Sequence, residues 1–209
     1  MELSILNMAG KETGKKVVLN DAIFGIEPNE HAIYLDVKQY LANNRQGTAK
    51  AKQRSENAHS TRKLGRQKGG GGARPGDFKS PVRVGGGTIF GPVPRSYAFK
   101  LNRKVKQLAR KSALSLRAKQ EQILVLDALT FETPKTKAMV EVLNNLNVAG
   151  KKVTFIVSDA NTNAIKSAAN LQRVNVVSAN ELNTYTIMNS NVVVLTEASA
   201  AAIEATFNA

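Results

Sequence analysis

Four short aliphatic runs punctuate the second half of the chain: ILVLDAL at 123–129, KVTFIVSD at 152–159, VNVVSA at 174–179 and VVVLTEA at 192–198. Each is short and rich in β-branched residues, so each reads as a strand covered on both faces. Helical spacing fills the stretches between them, from Pro134, over 162–171, briefly after 179 and again toward the C-terminus. Strand and helix in alternation predict βαβ units, hence parallel pairing with helices packed on either side. Thr133 and Pro134 suit an N-cap followed by proline at the first helical position, and Ser178-Ala-Asn-Glu181 suits a capping box.

Nearer the N-terminus, ELSIL at 2–6 and VVL at 17–19 predict further strands. A helix over 29–43 carries Ala32, Ile33, Leu35, Val37, Tyr40 and Leu41 on a broad apolar face. Ordinary folding signals stop near Asn43 and return at Asn102. There a helix to Lys119 puts Val105, Leu108, Ala109, Ala113 and Leu116 on its core face. Lys104, Lys106, Arg110, Lys111, Arg117 and Lys119 are left available to an anion. The prediction is an α/β body of residues 1–44 and 96–209, with an open, mainly parallel sheet and helices on both faces, Rossmann-like but without a nucleotide motif. A long extended basic loop, 45–95, interrupts it.

That interruption cannot build a core. Between Arg62 and Gly87 lie nine of the fifteen glycines, one acid (Asp77), and only Leu64, Phe78, Val82 and Val84 as large apolar residues. Four of the six prolines, Pro75, Pro81, Pro92 and Pro94, favour extended geometry just where no ladder is expected. Without a partner, much of 45–95 is expected to stay unstructured. Running out and back, it would reach at most about 80 Å.

Charge gives this segment a purpose. The chain carries +14 overall, but residues 43–120 hold twenty of the thirty Lys and Arg and only two of the sixteen acids, Glu56 and Asp77. That stretch is +18 (20 − 2) and the rest is −4 (10 − 14). Such concentration marks a polyanion-binding surface, with nucleic acid as the leading partner. A solvated basic tail is the plainer alternative, although tails seldom sit between folded segments. A membrane surface fits less well, because the stretch lacks the apolar face of an interfacial helix.

Catalytic and metal chemistry find little support. There is no cysteine, which excludes disulfides and thiolate sites and fits a reducing compartment. No basic leader precedes an apolar run, and no eighteen-residue apolar stretch occurs, so neither secretion nor a membrane span is predicted. Asp127, Asp159, Asn161 and Glu197 would lie at strand ends, where open α/β sheets bind ligands, but capping and turn formation are their commoner roles. No G-x-G-x-x-G occurs, and Lys79-Ser80 lacks the preceding glycine of a phosphate loop. His31 and His59 alone make no zinc cluster. No catalytic residue, cofactor or metal is predicted.

In combination, Arg45-Gln-Gly-Thr48, Arg66-Gln-Lys-Gly-Gly-Gly-Gly-Ala-Arg74, Lys79-Ser-Pro81, Gly85-Gly-Gly87 with Phe90-Gly-Pro92, Pro94-Arg95, Asn102-Arg-Lys104 and Pro134-Lys-Thr-Lys137 resemble the family of ribosomal protein four of the bacterial large subunit. The resemblance spans nearly the whole chain in order. It implies a non-enzymatic, cytoplasmic protein, not a homo-oligomer, that binds 23S ribosomal RNA and neighbouring large-subunit proteins and supports early assembly. It further implies that the loop enters the RNA and lines the nascent-peptide exit tunnel, with Arg66, Gln67, Lys68, Gly69 and Gly70 at the tip facing the nascent polypeptide. The RNA-binding residues expected on this basis and on charge are Arg45, Gln46, Arg62, Lys63, Arg66, Lys68, Arg74, Lys79, Arg83, Arg95, Lys100, Arg103, Lys104 and Lys111. Gly70 and Gly72 stand where that family usually has threonine and arginine, and Leu64-Gly65 replaces a common proline-aromatic pair. Two other readings are an α/β RNA-modifying or nucleotide-binding enzyme that uses Asp127 or Asp159, and a chromatin-type compaction protein.

Overall fold

The computed structural model describes residues 1–158 and 161–208, and the chain divides into two compact units: Met1–Leu41 with Lys100–Ala209, and Ala42–Phe99. In the first unit the described residues form strands β1 (Glu2–Leu6), β2 (Glu12–Val18), β3 (Ile123–Leu126), β4 (Val153–Val157), β5 (Val174–Ser178) and β6 (Val192–Thr196). Helices α1 (Asp21–Phe24), α2 (Glu30–Asn43), α3 (Arg103–Lys119), α4 (Thr136–Asn145), α5 (Thr162–Ala168), α6 (Thr184–Asn189) and α7 (Glu197–Asn208) complete it.

The sheet is open and mixed, in the order β2-β1-β3-β6-β4-β5. All neighbours run parallel except β1 and β2, which pair antiparallel with Leu3 opposite Val17. Much of β2 is polar and exposed, so the apolar pattern reveals only its end at 17–18; backbone pairing with β1 extends it to Glu12. The central strands β4 and β6 are buried throughout. Their side chains alternate between two cores. Val193, Leu195 and Ile156 join Phe24, Ile33, Leu114, Ile187 and Ile203 on one side. Val192, Val194, Val153, Phe155 and Val157 join Met139, Leu143, Ala164 and Ala168 on the other.

Three local expectations are corrected. The helix expected from Pro134 starts at Thr136, with Lys135 at the cap. The Asn163 amide donates to the carbonyls of Phe131 (2.9 Å) and Glu132 (3.2 Å), which pins the preceding residues as a loop. Ser178 does cap, accepting from the Asn180 N–H, but over a single 3-10 turn, Ala179–Glu181; the following helix is capped by Asn183, which accepts from Thr186 N–H at 2.7 Å. On α3 the core face is rotated: Leu108 is 41% exposed, while Leu114 is fully buried with Ala109, Ser112, Ala113, Ser115 and Ala118. Small residues bring α3 close to its neighbours, and two hydroxyls tie it to the chain before α2. Ser112 Oγ accepts from Asn29 N–H at 3.1 Å, and Ser115 Oγ donates to the Ile26 carbonyl.

Much of 45–95 was expected to stay unstructured without a partner; in the second unit the outgoing and returning limbs are bonded to each other. Arg95 N–H donates to Gly47 O (3.1 Å), Ala51 N–H to Pro92 O (3.1 Å), Thr88 N–H to Lys52 O (2.9 Å) and Leu64 N–H to Gly76 O (2.9 Å). Glycine makes this approach possible at two places. Gly47 has φ +66°, and a Cβ there would lie 2.0 Å from the Arg95 carbonyl oxygen; a Cβ on Gly87 would lie 2.3 Å from the Arg54 nitrogen. Apart from one 3-10 turn, Arg54–Glu56, the unit contains no helix that lies wholly within it and no strand.

Two outcomes follow for stability. Leu114→Ala should cost the body about 2–5 kcal/mol in urea unfolding, whereas Leu108→Ala should cost well under that, since only the former empties a packed site. Gly47→Ala should speed hydrogen exchange of the Arg95 amide by about tenfold or more, because both the positive φ and the missing space oppose a methyl group, a penalty of order 1–3 kcal/mol.

Candidate nucleic-acid interface

Residues 42–99 contain twelve Lys and Arg and two acids, and both acids are already engaged. Glu56 accepts from Lys50 Nζ at 2.6 Å and from Gln53 N–H at 3.1 Å. The Lys50 bond is the main reason its carboxyl lies below the usual glutamate range, with the Gln53 N–H adding to it. Asp77 is largely buried, and its Oδ2 meets Arg54 at 3.0 Å. The other carboxylate oxygen, Oδ1, is buried with no hydrogen-bond partner. With both carboxylates committed, most of the remaining cations are exposed with little internal compensation, which is the electrostatic condition for recruiting phosphates.

The limbs place several of the expected residues together. Arg45 and Arg95 lie over one ring, that of Tyr97, at 4.0 and 4.6 Å from its centre. A hydrogen bond with Arg95 is the largest of the influences that lower the Tyr97 hydroxyl pKa. The negative π-faces of one ring thereby hold two guanidinium groups near each other, despite their repulsion. Arg83 lies 5.6 Å from the centre of Phe78. Arg62 and Lys63, just before the Leu64–Gly76 bond, and Arg66, Lys68 and Arg74 beyond it are all exposed, and a Cβ on Gly65, Gly69, Gly70 or Gly71 would meet nothing within 4 Å. Lys63 Nζ reaches the Gln67 side chain, and Arg74 Nε donates to the Gln67 carbonyl at 3.1 Å. Gln46 is exposed, and Lys79 is half-buried.

In the other unit, Lys100, Arg103 and Lys104 are exposed at the start of α3, and the half-buried Lys111 sits 5.4 Å from the Phe207 ring. Arg117, expected to be free for an anion, is instead structural. Its guanidinium donates to the carbonyls of Ile187 (3.3 Å) and Met188 (2.8 Å) and to the Gln122 side chain, and burial lowers its pKa. Of the strand-end residues, Asn161 is likewise committed to the fold. Asn161 caps α5 by accepting from Ala164 N–H at 3.2 Å and donates to Leu129 O at 2.6 Å. Glu197 opens α7, Asp127 borders a cavity of only about 210 Å³, and Asp159 lies outside the described residues. His31 stacks on Tyr34 and His59 leans on Phe78. Sequence reasoning passed over Tyr97 and the Arg54–Asp77 pair. The lone acid in a basic glycine-rich run was a signal that a cation nearby would be consumed.

Among the described residues no group of three His, Asp or Glu is arranged to hold a metal ion, and no helix is long and apolar enough to cross a membrane. Residues 17–206 match the family described as the ribosomal protein L4/L1 family. The chain is 60% identical over 209 residues to the large ribosomal subunit protein uL4 of Parabacteroides distasonis, covering all of both chains. It is 59% identical to the uL4 of Phocaeicola vulgatus and 54% to that of Flavobacterium johnsoniae, each over 204 residues and 98% of both chains. With an α/β body and its charge gathered on a glycine-rich unit, the chain belongs to the ribosomal protein L4/L1 family.

Proposed function

We propose that the protein is a structural, non-enzymatic constituent of the large ribosomal subunit that binds 23S ribosomal RNA and neighbouring ribosomal proteins. The observation that carries this reading is the commitment of both carboxylates of residues 42–99, Glu56 to Lys50 and Asp77 to Arg54, which leaves a cation excess on a unit without a core of its own. Full-length identity of 54–60% to large-subunit proteins agrees with it.

The loop 45–95 acts as a long extended arm that enters folded RNA, while the remainder, 1–44 and 96–209, stays on the outside as its scaffold. Arg45 and Arg95 grip phosphates at the base of the arm, held ready by Tyr97. Arg62, Lys63, Lys79 and Arg83 follow along its length, and Lys100, Arg103, Lys104 and Lys111 on α3 add to the RNA-binding surface. Arg66, Gln67, Lys68, Gly69 and Gly70 form the tip that lines the exit tunnel, where the open glycines leave room for a nascent chain. Release of counterions and backbone contacts to the RNA offset the entropy of ordering such a loop.

Replacing Arg62, Arg66, Lys68 and Arg74 together by glutamine should weaken binding to 23S ribosomal RNA and flatten the salt dependence by about 0.7–0.9 in log–log slope for each phosphate no longer neutralised. Filter binding between low and moderate salt measures this; an unchanged slope removes these residues from the interface. Sedimentation of cell lysate should place the protein stoichiometrically in large subunits, and its absence there would overturn the reading.

A further inference from the structure

Phe90 is the least economical residue of the second unit. Its backbone lies in the left-handed region at φ +51°, a conformation that is an outlier for a bulky side chain, and its side chain is completely exposed, at 103%. Neither the strain nor the exposure is repaid within the chain. Among the described residues no ring or cation packs on it, although Phe78 and Tyr97 are each covered by an arginine.

The pairing of the two limbs explains how the ring is held out. Ala51 and Lys52 are neighbours on the outgoing limb, yet their partners on the returning limb, Pro92 and Thr88, are four residues apart. Residues 89–91 are therefore extruded as a bulge clamped at both ends. A Cβ on Gly91 would sit 2.7 Å from the Ala51 methyl, so the bulge closes tightly on that side. Ile89, 63% exposed, and Phe90 project from it. They border a cavity of about 970 Å³ whose lining includes Lys79 and the Arg54–Asp77 pair, a size suited to a nucleotide-sized ligand. A strained, outward-facing side chain held in place from both sides is a recurring mark of a binding position.

We propose that Phe90 is a stacking platform for an unpaired base of the ribosomal RNA, with Lys79 beside the cavity attracting the adjoining phosphate. The inference rests on the RNA-binding reading above and adds to it a base-contacting site. The surplus of cations in this unit selects an anionic partner, and a bare aromatic face selects one with planar rings; an unpaired nucleotide supplies both.

The chain contains no tryptophan, so Phe90→Trp introduces a single indole as reporter in the full-length protein. Titration with deproteinised 23S ribosomal RNA should quench its emission and shield it from acrylamide, with the same midpoint as filter binding. Heparin, a polyanion without bases, should bind without comparable quenching. Phe90→Ala and Phe90→Leu should each weaken RNA binding by about 5- to 150-fold, the range for loss of one stacked base, while Phe90→Tyr keeps the parent affinity. Urea unfolding of each variant separates this loss from misfolding. Retained complex on the filter with unchanged emission, equal quenching by heparin, or parent affinity in Phe90→Ala would overturn the stacking site while leaving RNA binding intact. Failure of the parent protein itself to bind the RNA would instead overturn the reading beneath it. A response only to added large-subunit proteins would assign the ring to a protein contact and overturn the proposal.

Discussion

The twelve cations on residues 42–99, offset by only two carboxylates, repel one another at separations that salt screens only partly, since the Debye length is about 8 Å at physiological ionic strength. No packed core can absorb such an excess, because an unpaired buried charge costs far more than apolar contact returns. The charge must therefore stay at the surface of a segment that holds itself by other means. Here those means are backbone hydrogen bonds between the limbs, two ion pairs and the contacts of Arg45 and Arg95 with the Tyr97 ring. Each is modest and none depends on burying apolar area. The result is a unit whose path is defined while most of its cations remain available to an external polyanion.

The body meets the opposite requirement. Its β4 and β6 strands are buried on both faces, so every residue along them must be apolar or have its polar group satisfied. Thr196 illustrates this, donating to Ile156 O at 3.4 Å. Around that sheet several polar side chains serve the fold: Asn161 makes a cap and bonds a loop carbonyl, Thr184 donates to Asp36 at 2.5 Å, and Arg117 donates to two carbonyls of the α6 end. A scaffold with its side chains so committed suits a protein whose task is position rather than turnover.

Legibility in the sequence varied with the physical signal. The strands at 123–126, 153–157, 174–178 and 192–196 were readable because burial on both faces leaves continuous aliphatic runs. The polar edge strand β2 was only partly readable, since pairing with β1 rather than apolar patterning holds most of it. On α3 the serines at 112 and 115 disguised the core face, because a buried hydroxyl looks like a surface residue until its carbonyl or N–H partner is known. Arg117 was misleading for the same reason. Its carbonyl partners lie some seventy residues away.

Composition and order along the chain by themselves determined the α/β class and the separation of a basic segment from a slightly acidic body. These are sums and periodicities, which need no knowledge of distant neighbours. Only the tertiary structure decided which cations are spent internally, that Tyr97 gathers two arginines, and that Phe90 stands bare on a clamped bulge. Those outcomes depend on which residues meet across the two limbs. Meetings of that kind are set by three-dimensional closure, which linear spacing does not record.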